Sequence, residues 1–359
     1  MNFILHFQDC RKDVFDLVGG KCASLGALMH AGARVPDGFV VTTAVWRAML
    51  EQDQLQSRID EQLRRLDSTA DPGLSKIAHH IRALIEQTPI PTAVELALRE
   101  AWTALIARSG ADPLAVAVRS SATAEDLPSA SFAGLHDTSL WVREPDEMVR
   151  HVRRCWSSLY TPRAIAYRID NAFAHDKVFM AVGVQKMVSA KAAGVAFSLN
   201  PTNGDRSKIA IDASFGLGEA VVSGRVTPDH FLVDKVIFEV ARRVISTKEV
   251  EHVFDPALGT VIERPIEPAR KNQPSLTLAE IVTVAKMAKW AEQHFKCPQD
   301  IEWAIDAHAP ADRAAIFLQS RPETVWSRKS TSPITTDNSR GMAGMVSTLI
   351  RGVKIDSKA

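Results

Sequence analysis

Two carboxylates, an amide and an arginine in the last third of the chain are spaced so that a pair of strands would turn them to one side. In DIEWAID (300–306) an alternation of two puts Asp300, Glu302 and Ala304 on one face and Ile301, Trp303 and Ile305 on the other. The same alternation in AAIFLQSRP (314–322) groups Phe317, Gln319 and Arg321. If the two segments pair as a hairpin through AHAPADR, their polar groups converge on one spot. Hard oxygens there would suit magnesium, and the guanidinium would suit a phosphoryl group. Taken alone, the hairpin fits an exposed sheet face with a surface ion pair equally well.

A second cationic candidate is Lys21, which follows Gly19-Gly20. A Walker A loop would need glycine at position 15 and Ser or Thr at 22, where the chain has Phe15 and Cys22. What remains is a lysine at a glycine-rich helix start, where backbone N–H groups and the helix dipole favour an anion; an ordinary exposed lysine would look the same. The third candidate is Arg119, where an apolar strand opens into a run of small and hydroxyl-bearing residues reaching Gly134 and Thr138. Such a loop can approach phosphates closely and fold over them. The alternative is a plain surface loop, but a linker has no need of an arginine at the end of an apolar strand.

The elements that must position these groups are legible as periods. After the glycine-rich start and VPDGFVVT, apolar residues recur at helical steps from Trp46 to Leu66, from Ile77 to Leu84 and from Val94 to Leu105. Three helices are expected, with breaks at Asp71-Pro72-Gly73 and Pro89-Ile90-Pro91. The period then becomes two, or short apolar runs, at 115–120, 178–188, 194–199, 208–214, 230–235 and 236–241. Thr277-Leu278-Ala279-Glu280 is a capping box that announces one more helix before the two closing strands. Beyond Trp326 the composition turns to Ser, Thr, Asn, Gly and Lys, so 328–359 is expected to be a weakly packed or partner-bound polar tail, and its end at IDSKA is read as a natural one.

With 359 residues and 46% hydrophobic composition the chain can bury two packed lobes. The balance of 43 basic against 42 acidic residues, without a long basic run, argues against nucleic acid as a partner. Four scattered cysteines without a C-x-x-C pair argue against a zinc ribbon or a disulfide framework and point to the reduced cytosol. No apolar run approaches the roughly 20 residues of a membrane span.

The runs GGKCASLGALMHAGARVPDGFVVT, AVRSSATAEDLPSASFAGLHDT, VGVQKMV, AGVAFSLNPTNGD, DASFGLGEAVVSG and DIEWAID…LQSRPETVW, in this order over residues 10–327, resemble the nucleotide-binding domain of phosphoenolpyruvate synthase, pyruvate phosphate dikinase and rifampin phosphotransferase. The resemblance implies an α+β, two-lobed ATP-grasp fold: an N-terminal lobe over 1–190 with a helical insertion at 44–108, and a C-terminal lobe over 191–327. It implies that ATP and Mg2+ are clamped between the lobes and that the β-phosphoryl passes to a histidine, leaving AMP and phosphate. By motif match Lys21, Arg119 and Arg321 would act on the phosphates, Gly134 and Thr138 would cover them, and Gln185 would lie near the adenine. Glu302 and Gln319 would carry the metal. Asn200 departs from the acidic residue that dikinases often place there, so it takes no metal role.

None of the eleven histidines stands in the glycine-rich Thr/Ser-His setting of a phosphorylatable histidine. The resemblance therefore implies a partner subunit that carries that histidine and binds a small-molecule acceptor. The length is most similar to the ATP-binding subunit of phenylphosphate synthase, whose acceptor is phenol. A regulatory ATP-binding module and an excised domain of a longer synthase or rifampin phosphotransferase are the alternatives.

Overall fold

In the computed structural model, which describes residues 2–66, 72–110, 113–123 and 138–326 together with the backbone of 126–127 and 130–131, the period-two segments form antiparallel sheets. The first sheet contains β1 (Ile4–His6), β2 (Gly38–Val41), β3 (Val116–Ala122), β6 (Thr138–Val142) and β7 (Met180–Lys186), in the order β1-β2-β7-β3-β6. A two-residue ladder, β4 (Asp126–Leu127) with β5 (Ala130–Ser131), lies between β3 and β6 in the chain.

The second sheet contains β8 (Ala190–Phe197), β9 (Lys208–Phe215), β10 (Asp229–Asp234), β11 (Val240–Val244), β14 (Gln299–Asp306) and β15 (Ala315–Pro322), in the order β11-β10-β9-β8-β14-β15. A separate hairpin pairs β12 (Val250–Asp255) with β13 (Thr260–Pro265). The fold is thus α+β, and residues 1–323 form one compact unit.

Ten α-helices fill the connections among the described residues. They are α1 (Phe15–His30), α2 (Thr43–Glu51), α3 (Leu55–Leu63), α4 (Leu74–Gln87), α5 (Thr92–Ser109), α6 (Pro145–Ser157), α7 (Pro162–Asp170), α8 (Glu219–Val222), α9 (Pro268–Lys271) and α10 (Leu278–Phe295). The helical step that runs from Trp46 to Leu66 is two helices rather than one, because Asp53 and Gln54 take φ of 47° and 54° and turn the chain between α2 and α3. Likewise the apolar run 236–241 is not a strand throughout: Asp234 Oδ1 accepts the N–H groups of Val236 and Ile237, and this turn delays β11 until Val240.

One apolar cluster packs the helices of the first half onto their sheet, with Trp46, Trp156, Phe39, Val118 and Val182 at its centre. Trp46 and Trp156 meet at 5.6 Å, and the Trp156 indole N–H donates to the Met180 carbonyl at 3.2 Å. Each such buried ring contributes about 1.5–3 kcal/mol or more from area alone. A second cluster runs from Val40 and Ala181 through Val18, Leu25 and Leu28 of α1 to Ile211, Phe231 and Trp303 of the second sheet, closed by Ile281, Val284 and Ala288 of α10. Helix α1 therefore belongs to the packing of both sheets.

The capping box forms as its residues require: Thr277 Oγ1 accepts the Glu280 N–H at 3.3 Å and the Glu280 carboxylate accepts the Thr277 N–H at 2.8 Å. Among the described residues, no helix is long and apolar enough to cross a membrane.

Candidate nucleotide site

The site begins with a glycine whose conformation no other residue adopts cheaply. Gly19 has φ of 69°, and a Cβ on it would lie 2.1 Å from the Ser121 carbonyl oxygen. The helical run of α1 therefore restarts at Gly20, directly against β3. Ser121 Oγ accepts the Cys22 N–H at 3.1 Å and donates to the Val18 carbonyl at 2.7 Å, so one β3 hydroxyl seats the helix entrance. Because side chains two apart share a strand face, the face that seats the helix with Ser121 presents Arg119 beside it.

Arg119 reaches the second sheet. Its Nη2 donates to Glu302 Oε2 at 2.5 Å and to Gln319 Oε1 at 3.0 Å, and its Nη1 donates to the Leu318 carbonyl at 3.2 Å. Glu302 and Gln319 stand directly opposite one another on β14 and β15, as do Asp300 and Arg321. Burial raises the Glu302 carboxyl, but the charge and hydrogen bond of Arg119, with Lys21 and Arg321 behind it, outweigh burial and hold it below the ordinary carboxylate value. Arg321 Nε lies 3.4 Å from Asp300 Oδ2. Asp300 Oδ1 is buried with no hydrogen-bond partner among the described residues. Burial pushes the Asp300 carboxyl up to about 6; Arg321 opposes this and Glu323 adds to it.

One expectation is corrected. Phe317 does not share a face with Gln319 and Arg321, because a register shift between Glu302 and Trp303 places Phe317 opposite Trp303, in the core under α10. The bulge leaves Leu318 to line the cavity beside Arg119. The rest of the expected set is brought together unevenly. Lys21, Arg119, Gln185 and Gln319 line one narrow cavity with Cys22 and Gly183. Arg119, Thr138, Gln185 and Glu302 line an adjoining, mostly apolar cavity of about 150 Å³ walled by Leu140, Val188, Ala193 and Leu318. Arg321 lines neither cavity and acts on Glu302 through charge. Gly134 lies outside the described residues.

Gln185 is buried on β7, and its Nε2 has no partner among the described residues, which leaves a donor at the junction of the two cavities. Two further contributors carry no distinct signal of their own in the sequence: Ser121, which seats the entrance of α1 from β3, and Glu219, which enters the cavity wall at the start of α8. Glu219 is marked only by its place in the GLGE run after β9.

For magnesium the donor set fits. Glu302 Oε2 and Gln319 Oε1 both accept from a single guanidinium nitrogen, so two hard oxygens face one point that already favours positive charge. Among the described residues there is no group of three or more His, Cys, Asp or Glu that could hold a metal by itself. Magnesium bound by one or two protein oxygens and otherwise by phosphates and water needs no more.

Residues 15–342 match the family model described as the pyruvate phosphate dikinase, AMP/ATP-binding domain. A probable phosphoenolpyruvate synthase of Methanothermobacter thermautotrophicus is 41% identical over 324 residues, covering 90% of this chain and 46% of that protein. The phosphoenolpyruvate synthase of Aeropyrum pernix is 39% identical over 350 residues, 91% of this chain and 43% of that protein. A probable phosphoenolpyruvate synthase of Methanocaldococcus jannaschii is 41% identical over 325 residues, 90% of this chain and 27% of that protein. The chain thus spans less than half the length of these relatives. A cradle of cations and oxygens beside an apolar slot, on a chain matched by this model over nearly its whole length, leads to one conclusion: the chain belongs to the pyruvate phosphate dikinase AMP/ATP-binding domain family.

Proposed function

We propose that the chain is the ATP-binding part of a dikinase-type phosphotransferase with an ATP-grasp fold, in which lobes 1–190 and 191–327 clamp Mg-ATP and the β-phosphoryl goes to a histidine on a separate subunit. ATP and water are consumed, AMP and phosphate leave, and the phosphohistidine passes its group to a small acceptor such as phenol. The observation that carries this reading is the reach of Arg119 from the first sheet to Glu302 and Gln319 of the second.

In this reading the adenine lies in the apolar slot near Gln185, whose unpartnered Nε2 donates to the nucleotide. Lys21, Arg119 and Arg321 meet the polyanion, Thr138 lines the cavity, and Thr138 and Gly134 would cover the phosphates. Glu302 and Gln319 would hold magnesium, which when bound neutralises and orients phosphate oxygens. Cations and donors already in place before charge moves are the main resource of phosphoryl-transfer catalysis.

The test is to mix the chain with its histidine-bearing partner and ATP labelled at the β-phosphorus. Label on the partner with release of AMP supports the proposal. ADP formation, or stimulation of the partner by a non-hydrolysable nucleotide, would instead identify a regulatory module.

A further inference from the structure

The apolar cavity has two walls that come from different parts of the fold. One is β6, through Thr138 and Leu140; the other is the turn into α8, through Leu217, Gly218 and Val222. Among the described residues β6 is an edge strand, paired only with β3. The β12–β13 hairpin touches both walls. On one side the His252 carbonyl accepts the Leu217 N–H at 2.9 Å, and Gly216, with φ of 73°, presses so closely that a Cβ would lie 2.4 Å from that carbonyl oxygen. On the other side Phe254, two residues along β12, stacks on Trp141 with ring centroids 4.8 Å apart and planes 12° from parallel. The Arg143 guanidinium lies 5.5 Å from the same Phe254 ring.

The conformation of Trp141 is what makes this contact. In regular alternation Ser139 and Trp141 share the face turned to α6, where Ser139 Oγ indeed meets His151 Nδ1 at 2.8 Å. Trp141 instead takes φ of 62°, a left-handed conformation rare for a bulky residue, in the stretch where the β3–β6 register shifts. A large aromatic ring is thereby diverted from α6 to the hairpin.

We propose that the β12–β13 hairpin is a strap across the nucleotide cavity and that the Trp141–Phe254 stack is its latch. The His252 end is a buried backbone junction, while the Phe254 end is a contact between two half-buried rings, so separating the walls breaks the aromatic end first. Admitting or releasing a nucleotide base then requires the stack to part. This rests on the reading of the cavity as an ATP site.

Two measurements test it, one of which needs no nucleotide. In hydrogen exchange on the ligand-free chain, Phe254→Ala should speed exchange at residues 140–142 by about three- to tenfold, the size of one aromatic pair, and leave Leu217, still held by the His252 carbonyl, and strands β14 and β15 unchanged. Phe254→Tyr should restore the wild-type pattern, and Trp141→Gly, which also relieves the backbone, should mimic Phe254→Ala. Exchange unchanged in Phe254→Ala, or raised equally across β14 and β15, would overturn the strap. In the second measurement the dissociation rates of ATP and AMP should rise by the same factor in Phe254→Ala; an unchanged rate overturns the latch. A wild-type chain that binds neither nucleotide refutes the ATP reading, and the exchange experiment still decides the strap.

Discussion

Removing Arg119 should reveal how much of the link between the two sheets is one guanidinium. Arg119 and Glu302 are 19% and 26% exposed, so their interaction is only partly screened. Two unit charges about 4 Å apart at an effective dielectric of 20 interact by about 4 kcal/mol. Desolvation and residual water contact reduce this to about 1.5–3 kcal/mol, the range for hydrogen bonds to charged groups. Arg119→Met should therefore cost about 2–4 kcal/mol, because Glu302 and Gln319 lose their common donor, whereas Glu302→Gln should cost about 1–2 kcal/mol.

The double mutant should recover about 1.5 kcal/mol or more of the summed losses, measured by urea unfolding of all four proteins at neutral pH without nucleotide. The coupling should shrink in acid. The Glu302 carboxyl is held below its ordinary 4.5, so its contribution is present above that value and is lost as pH falls through the lower folded value. A coupling under about 0.5 kcal/mol, the level of independent sites, would refute the reasoning.

Asp300 should behave in the opposite sense. Its carboxyl is raised from 3.8 to about 6, so the folded state binds the proton more tightly, and stability declines as pH rises from about 4 to above 6. Asp300→Asn should gain on wild type by about 2–3 kcal/mol between pH 4 and pH 7, and a constant difference would contradict the burial argument. Gly19→Ala should destabilise by about 2–4 kcal/mol and weaken ATP binding, since both the φ and the approach of Ser121 forbid a Cβ; unfolding and titration calorimetry check the two parts. Glu302→Ala and Arg321→Ala should each leave a folded chain, by circular dichroism, that no longer supports phosphotransfer; unchanged turnover in either would overturn the site assignment.

Much of the candidate site was legible because it lies on strands, where an alternation of two fixes which side chains share a face. Asp300, Glu302, Gln319 and Arg321 could be grouped from spacing alone, and the register pairs them across β14 and β15. The same rule misplaced Phe317, because a bulge adds one residue to one strand and reverses every face beyond it, and no local signal in IFLQSRP marks it. The helical step from Trp46 to Leu66 hid the break at Asp53 and Gln54, two polar residues that tolerate a left-handed turn without the glycine that would have announced it. Strand β6 and the β12–β13 hairpin were not anticipated, since short segments give weak periodic signals; α6 and α7 were not anticipated either, although Met148, Val149, Val152, Cys155 and Trp156 recur at helical steps along α6.

By itself the amino-acid order determined which local geometry each segment prefers: the capping box of α10, the alternation of β14, the glycine entrance to α1. Those are decided by neighbours within a few residues, whose sterics and hydrogen bonds do not wait for the rest of the chain. Only the tertiary structure decided that Arg119 meets Glu302 and Gln319, nearly 200 positions away, and that Phe254 stacks on Trp141. Contacts of that span depend on how α1 is buried between two sheets, and the energy that sets it is the summed packing of distant apolar faces, which no local pattern records.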